Sequence, residues 1–332
     1  MRQISSMKAK FFALVCLIIL LMIAIGRSLH AASPSPTIVR VGCPQLNGAV
    51  IPLWTIQEGK LDRPYGVDFK PIYIPGGSRL TQTAVSGDVD IALTGGAVIN
   101  AILSGAELMY IALQVPTYAF SLYGRPEVKE VSDLRGKILG VITKGAASDH
   151  ASIALLRLHK MTQKDMKVLY FSRQQDALAA LDTGIVNAAV LSAPTTLMAR
   201  RLGYKQVVNI GSLKLPYTFI GAAVNRSLAR QNPEVIKSFL KAFMAGLKAS
   251  NDQPALAKQS SARHFGSQDP EIADEAYNSF VPLFPRVPYV LEEAVRGTLA
   301  ATDHPKAATA DPKMFFDNRF LQELESSGFV KE

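Results

Sequence analysis

The feature that most constrains this chain is a segment that occurs twice, 97 residues apart. The first copy, residues 84–100, reads AVSGDVDIALTGGAVIN, and the second, residues 181–197, reads LDTGIVNAAVLSAPTTL. Both copies predict a helix end, a glycine stop at Gly87 or Gly184, a short strand and a small-residue turn into a new helix. In an open α/β sheet such a strand-to-helix junction forms a ligand crevice. One copy in each half of the chain predicts two similar lobes that face each other.

The first 32 residues predict a secretory signal peptide. Three basic residues within the first ten precede an unbroken apolar run of 16 residues at 11–26, and small residues follow at Ala31 and Ala32. The apolar run is shorter than the roughly 20 residues of a membrane-spanning helix. We therefore predict cleavage near Ala31 or Ala32 and a periplasmic protein. Retention of the segment as an amino-terminal anchor is the open alternative.

Removal of residues 1–32 lowers the charge of the chain and its cysteine count. That segment holds four basic and no acidic residues, so the mature charge is 32 − 27 = +5. No basic run is longer than a pair, which argues against a nucleic-acid-binding protein. Cys43 is the one cysteine left after cleavage. We expect no intramolecular disulfide and a buried position for Cys43 in a strand.

The order of the predicted elements places the two lobes. Strands and helices alternate over residues 38–113 and again over 138–210, which predicts a mostly parallel sheet flanked by helices in each half. Extended aromatic segments at 115–123 and 215–220 are the predicted hinge crossovers between the lobes. The carboxyl-terminal third reads as helices that cover the first lobe. The predicted domains are residues 1–32 as signal peptide, 33–117 with 218–332 as lobe I, and 118–217 as lobe II.

Small-residue turns before helix starts are the recurring candidate for ligand binding. A helix start leaves backbone N–H groups unpaired and carries partial positive charge, so a carboxylate, sulfonate or phosphate can dock there. Small residues allow close approach to the backbone, and five such turns that meet in one crevice predict a binding site. The serines and the threonine after proline could equally be helix N-caps. The candidate residues are Asn47, Gly77, Ser78, Thr94, Gly95, Gly96, Ala146, Ala147, Ser148, Ser192, Pro194 and Thr195.

Two residues outside the turns are further candidates. Tyr217, in the second crossover, is predicted to be a wall of the pocket. Gln114 ends a strand at the lobe boundary, where its amide could bond either to a ligand or across the hinge. Trp54, the only tryptophan, is predicted to pack in the core.

Catalytic signals are weak throughout the sequence. It contains no GxSxG, P-loop or GxGxxG motif. The four histidines of the mature chain lack metal-ligand spacing and are expected to have surface or capping roles. We predict no catalytic residue, no metal and no cofactor.

The chain resembles the periplasmic solute-binding proteins of nitrate/sulfonate/taurine-type ABC importers, including the group named for thiamine-pyrimidine precursor proteins. The matching segments are SGDVDIALTGG, VSDLRGKILGV with its GAASD turn, LDTGIVNAAVLSAPTTLMARRLGY and DNRFLQELESSGF, in the family's order. The resemblance implies a two-lobed, hinged α/β fold of type II that binds a small solute. It adds Gln45 and Asp149 to the candidate pocket residues. Alanines stand at 146 and 147 where relatives often have serines, which counts against an anion site built from hydroxyls there.

The resemblance implies a non-enzymatic transport receptor, a monomer that delivers a small anionic or heteroatom-rich solute to a membrane permease and its ATPase. Two alternatives stay open. One is a ligand sensor that acts with a signalling membrane protein. The other is the pyrimidine-synthesising enzyme of the family, which would need an active-site lysine, a donor histidine and a cysteine-rich segment. An export signal and one mature cysteine argue against the enzyme.

Overall fold

A computed structural model describes residues 35–331, so the predicted signal peptide lies outside the described residues. The strands are Thr37–Cys43 (β1), Val67–Tyr73 (β2), Ile91–Thr94 (β3), Leu108–Thr117 (β4), Ser121–Gly124 (β5), Ile138–Ile142 (β6), Lys167–Phe171 (β7), Ala188–Leu191 (β8), Lys205–Asn209 (β9) and Pro216–Asn225 (β10). The α-helices are Ile51–Gly59 (α1), Gly77–Ser86 (α2), Ala97–Leu103 (α3), Ala147–Leu158 (α4), Gln174–Asp182 (α5), Thr195–Arg201 (α6), Arg226–Gln231 (α7), Pro233–Asp252 (α8), Pro254–Phe265 (α9), Pro270–Phe280 (α10), Glu292–Ala301 (α11) and Arg319–Ser326 (α12).

The strands form two five-stranded sheets of the same topology. Sheet I has the order β2-β1-β3-β10-β4 and sheet II the order β7-β6-β8-β5-β9. In each sheet the first three strands are parallel, and the fourth is antiparallel to both of its neighbours. The antiparallel strand is β10 in sheet I and β5 in sheet II, the strands on which the chain arrives from the other sheet. The prediction of two mostly parallel sheets flanked by helices is confirmed. Below, lobe I and lobe II denote the parts built on sheets I and II.

The repeat in the sequence corresponds to equivalent positions in the two sheets. β3 and β8 are both the third strand of their sheet, and their first residues differ in number by 188 − 91 = 97. Asp90 and Asn187 precede these strands and act alike. The Asp90 carboxylate accepts from the Arg40 N–H at 2.7 Å, and the Asn187 side-chain oxygen accepts from the Ile138 N–H at 3.0 Å. Each side chain thus joins the third strand of its sheet to the second, which is β1 in sheet I and β6 in sheet II.

The two crossovers are shorter than the sequence predicts. β4 continues to Thr117, and β5 begins at Ser121. On the return, the predicted crossover and the strand after it form one strand, β10, which pairs with β4 from Pro216 onward through three register irregularities. The crossovers are shorter because their residues extend β4 and β10, which pair with each other. The lobe boundaries at 117/118 and 217/218 stay predictions, and the second falls inside the first residues of β10.

Helices after β10 cover lobe I, as predicted. α8 and α9 pack on α1, and α11 packs on β10. Gly297 in α11 allows this last contact, because a Cβ there would collide with the carbonyl oxygen of Pro216. The Thr298 hydroxyl accepts from the Thr218 N–H at 3.0 Å beside it. The start of β10, where the chain re-enters lobe I, is therefore held firmly by α11.

Two core residues lie where the sequence predicts them. Trp54 is buried in α1 and stacks on His264 with ring centroids 4.8 Å apart. Cys43 is buried at the end of β1, and burial raises the pKa of its thiol to about 12. Cys43 therefore stays protonated and unreactive near neutral pH.

The helices predicted for the carboxyl-terminal third are interrupted near its end. The segment 312–326 forms a 3₁₀ turn at Pro312–Phe315 and then α12. Between them Phe316 is extended and bridges to Tyr110 of β4. Between residues 35 and 331, no helix combines the length and apolarity needed to cross a lipid bilayer.

Candidate functional site

A small cavity lies between the two lobes. Its volume is about 30 Å³, enough for roughly two water molecules. Turns at the carboxyl ends of β1, β2 and β3 line it from lobe I, and the turn after β6 lines it from lobe II. None of the fifteen lining residues is charged. They are Pro44, Gln45, Gly76, Gly77, Thr94, Gly95, Ala97, Phe120, Ile142, Thr143, Ala146, Ala147, Ser148, Phe219 and Ile220.

Two helices begin at this cavity from opposite sides. α2 starts at Gly77 in lobe I, and α4 starts at Ala147 in lobe II; neither start has a side-chain cap. The first N–H groups of both helices are thus free of side-chain partners, and the positive ends of both helix dipoles face the cleft. An acceptor atom between them can receive hydrogen bonds from both lobes at once.

The two serines of these turns have structural roles. The alternative of an N-cap at Ser78 is wrong, because Gly76 adopts a left-handed φ of 89° and the helix starts one residue before Ser78. Ser78 instead donates to the Lys144 carbonyl of lobe II at 3.3 Å. Ser148 accepts from the Ile142 N–H at 2.7 Å and donates to the Ile142 carbonyl at 2.8 Å. Both serines therefore stabilise the turns around the cavity.

Aromatic residues of the crossovers form one wall of the cavity. Phe120 and Phe219 pack edge to face with ring centroids 5.1 Å apart, one from each crossover. Neither was a candidate in the sequence. The aromatic residues at 118–123 could have identified Phe120 as a pocket residue, because alternate residues of an extended segment point to the same side.

Tyr217 connects the lobes beneath the cavity and does not line it. Its hydroxyl accepts from the Gly96 N–H at 3.2 Å and lies 3.0 Å from His150 Nδ1. Its ring stacks on Tyr118 of the other crossover at 4.1 Å. There is no room for a side chain at Gly96, because a Cβ would lie 2.6 Å from His150 Nδ1 and closer still to the Tyr217 hydroxyl. Gly96, Tyr217 and His150, which we call the interlobe triad, thus join lobe I, the crossover and lobe II.

The expected surface or capping role of the histidines is wrong for His150. It is 1 % exposed in the first turns of α4, and burial lowers its pKa to about 4. The imidazole is therefore neutral near pH 7. The neutral ring shares one hydrogen bond with the Tyr217 hydroxyl through Nδ1, and the tautomer of the imidazole sets which of the two groups donates.

The stability of the protein is expected to rise with pH between about 4 and 6.5, the pKa values of His150 in the folded chain and of an ordinary histidine. In that range the unfolded chain binds a proton that the folded chain does not, so acid favours unfolding. The contribution is about 3 kcal/mol at most. Urea unfolding across this range should show a shallower dependence for His150→Gln than for the wild type. Equal slopes for both proteins would contradict the assignment.

The remaining candidates lie around the cavity and not in it. The Asn47 amide donates to Ser192 Oγ at 3.1 Å across the lobes. The Gln114 amide donates to the Ala49 carbonyl at 2.6 Å, so this hydrogen bond stays within lobe I and does not cross the hinge. Gln114 does not line the cavity. Asp149 accepts from the Gly145 N–H at 2.8 Å and shapes the turn. Pro194, after a cis peptide bond, and Thr195 begin α6. The structure thus gathers four turns at one cavity and places the β8–α6 turn next to it.

A second set of contacts joins the lobes at the rim of the cleft. Arg200 of α6 pairs with Glu275 of α10 at 2.9 Å, and the Thr196 hydroxyl donates to the same carboxylate at 2.8 Å. Arg201 pairs with Asp269 and Glu271 nearby. Nowhere in residues 35–331 do three histidine, cysteine or acidic side chains gather as a metal site would require.

Two equivalent mixed sheets, two crossovers and a cleft lined from both sides define the two-lobed periplasmic-binding-protein fold. The chain belongs to the family described as NMT1/THI5 like, whose family model matches residues 65–257. A protein of Brachyspira hyodysenteriae, provisionally named an ABC transporter periplasmic binding protein, is 22% identical over 275 residues, which is 78% of each chain.

Solved structures share the fold at low sequence identity. A protein of Bordetella bronchiseptica superposes with a TM-score of 0.76 at 17% identity, over 89% of this chain and 98% of its own. The periplasmic aliphatic sulphonate binding protein SsuA from Escherichia coli has a TM-score of 0.69 at 21% identity, over 87% of this chain and 100% of its own.

Proposed function

We propose that this chain is the solute-binding component of an ABC importer. It captures a small solute between its two lobes and delivers the solute to a membrane permease and its ATPase. The observation that carries the proposal is the cleft itself, in which uncapped helix starts of both lobes face one cavity. No enzymatic step is part of this function.

The relatives support the same role. The Brachyspira protein is named for ABC transport, and the Escherichia coli protein with this fold is named for aliphatic sulphonate binding. Free N–H groups at the cleft favour a solute with acceptor oxygens or nitrogens. We therefore propose a small anionic or heteroatom-rich organic solute as the ligand.

The proposed cycle depends on movement of the lobes about the two crossovers. Contacts that join the lobes, such as those of the interlobe triad, are side-chain and glycine contacts that can part without unfolding either sheet. We propose lobe I as residues 33–117 with 218–332, lobe II as 118–217, and hinges next to Tyr118 and Tyr217. We further propose that residues 1–32 direct the chain to the periplasm, where it acts as a monomer.

A thermal-shift screen of the chain from Ser33 onward tests the function. The panel holds taurine, alkanesulfonates, nitrate, bicarbonate, aromatic carboxylates and aminopyrimidines. A solute at about 100 times its dissociation constant should add about 2.7 kcal/mol of stability. Small-angle scattering with the hit should then show the lobes closing. A confirmed ligand that leaves the scattering of an open apo protein unchanged would argue against capture by closure.

A further inference from the structure

A second cavity adjoins the first on the other side of Phe120. Its volume is about 350 Å³, against about 30 Å³ for the first. Small-molecule pockets occupy about 300–1,000 Å³, so of these two cavities the second is the one with room for an organic solute in this arrangement of the lobes. Its lining includes Phe120, Ser121, Ser192, Thr196, Asn209 and Ser279.

Ser192 is one of the residues that line this second cavity, and its hydroxyl has an unused hydrogen-bond donor. Its hydroxyl oxygen accepts from the Asn47 amide at 3.1 Å and from the Gln174 amide at 2.6 Å. Both amides are fixed in this orientation, because the Asn47 oxygen accepts from the Ala49 N–H and the Gln174 oxygen accepts from the Ser192 N–H. Ser192 is 1 % exposed, and its own O–H has no acceptor among residues 35–331. With both lone pairs occupied, the hydroxyl can only donate to a further group.

A neighbouring hydroxyl adds to this polar end. Ser121 pairs with Leu191 in sheet II, so it lies beside Ser192 at the end of β8. It is 7 % exposed, and its hydroxyl bonds to no residue in the described part of the chain. The cavity therefore has a polar end with free hydroxyls and an aromatic side at Phe120.

The charges on the cavity lining cancel. Arg200 and Glu275 are the two charged residues among those that line it. Glu275 Oε1 accepts from Thr196 and from Arg200, and Oε2 pairs with Arg200 at 2.9 Å. Each of these two charges is therefore offset by the other. The lining thus has no net charge to compensate an ion for its lost hydration, so the cavity favours an uncharged solute.

We infer that the second cavity binds an uncharged organic solute through a hydrogen-bond acceptor, such as an amide carbonyl, a sulfone oxygen or a ring nitrogen, to which the Ser192 hydroxyl donates. The inference rests on the proposed function and narrows its class of solute. Phe120 supplies the apolar contact, and Ser121 offers a second polar one. Ser192 thereby becomes the residue that selects solutes carrying an acceptor.

Matched pairs of probes test the inference by calorimetry and thermal shift. The pairs are benzamide with benzoate, nicotinamide with nicotinate, and methyl phenyl sulfone with benzenesulfonate. We expect the uncharged member of at least one pair to bind at least about tenfold more tightly than its anion. Ser192→Ala should weaken that probe about tenfold, the usual effect of one lost hydrogen bond. Ser192→Thr, which keeps the hydroxyl, should retain binding.

Several outcomes would overturn the inference. Equal or tighter binding of the anions would do so, as would an absence of binding by all three uncharged probes. A loss in Gln174→Ala as large as that in Ser192→Ala would assign the effect to the amide network and not to the hydroxyl. If the anions alone bind and close the lobes, the proposed function stands without this inference. If an uncharged probe binds and depends on Ser192 but never closes the lobes, the proposed function fails and the inference stands.

Discussion

The double substitution Gly77→Cys with Ala146→Cys is expected to lock the lobes together and to abolish binding of a solute that enters between these two turns until a reductant is added. A Cβ on Gly77 lies 3.5 Å from Ala146 Cβ, within the roughly 3.5–4.5 Å that a disulfide spans. The two positions belong to opposite lobes, so the bond would hold the cleft shut. The bond should also add about 3–4 kcal/mol to the free energy of unfolding, because it closes a long loop. Thermal shift with and without dithiothreitol, on the solute found in the panel, measures both effects.

The controls for this lock are the two single substitutions. Each adds the bulk of one cysteine without the bond, so neither should respond to the reductant. Cys43 should not exchange with the new pair, since it is buried and burial raises its pKa to about 12. Solute binding that is unchanged in the oxidised double variant, with the bond confirmed by mass spectrometry, would show that solute does not enter between these turns.

Gly96→Ala is expected to weaken solute binding by roughly 5- to 150-fold. The added Cβ would lie against the Tyr217 hydroxyl and 2.6 Å from His150 Nδ1, two groups that are themselves buried. Overpacking of this kind costs about 1–3 kcal/mol, and the lobes can avoid it by staying apart. Calorimetry with the identified solute gives the affinity, and small-angle scattering shows whether the lobes still close.

Tyr217→Phe is the matched control, because it removes the same hydroxyl without adding bulk. It leaves the Gly96 N–H unpaired and should therefore also weaken closure, while the lobes remain free to meet. Combined with Gly96→Ala it should recover part of the lost affinity, since the nearest colliding atom is gone. If Gly96→Ala binds solute as the wild type does, the interlobe triad does not form in the bound protein.

The local chemistry of the sequence was enough to predict most elements of each lobe. The repeat is recognisable in the sequence because both copies contain a glycine stop, an Asp or Asn residue and a run of small apolar residues. Gly87 and Gly184 both adopt a left-handed φ, 82° and 79°, which few other residues tolerate. Turns at helix starts were predicted as candidates from the same local chemistry, and six of their candidate residues line the first cavity.

The sequence could not show which turns share a cavity. Ser192 lines the second cavity, and Asn47 and Gln174 meet at its hydroxyl although they lie 145 and 18 residues away along the chain. Phe120 separates the two cavities from within a crossover, and a crossover's path depends on strand pairing with β10. His150 was predicted to have a surface or capping role, but it is buried where Gly96 and Tyr217 approach its ring.

By itself, then, the sequence determined two similar α/β lobes, their crossovers and the kind of turn that faces the cleft. These follow from periodicity, glycine conformation and helix-start chemistry, all of which act over a few residues. Only the tertiary structure decided how the lobes touch, which hydroxyl keeps a free donor, and where space for a solute remains. Those properties depend on distances of a few ångströms between residues far apart in the chain, which local patterns do not encode.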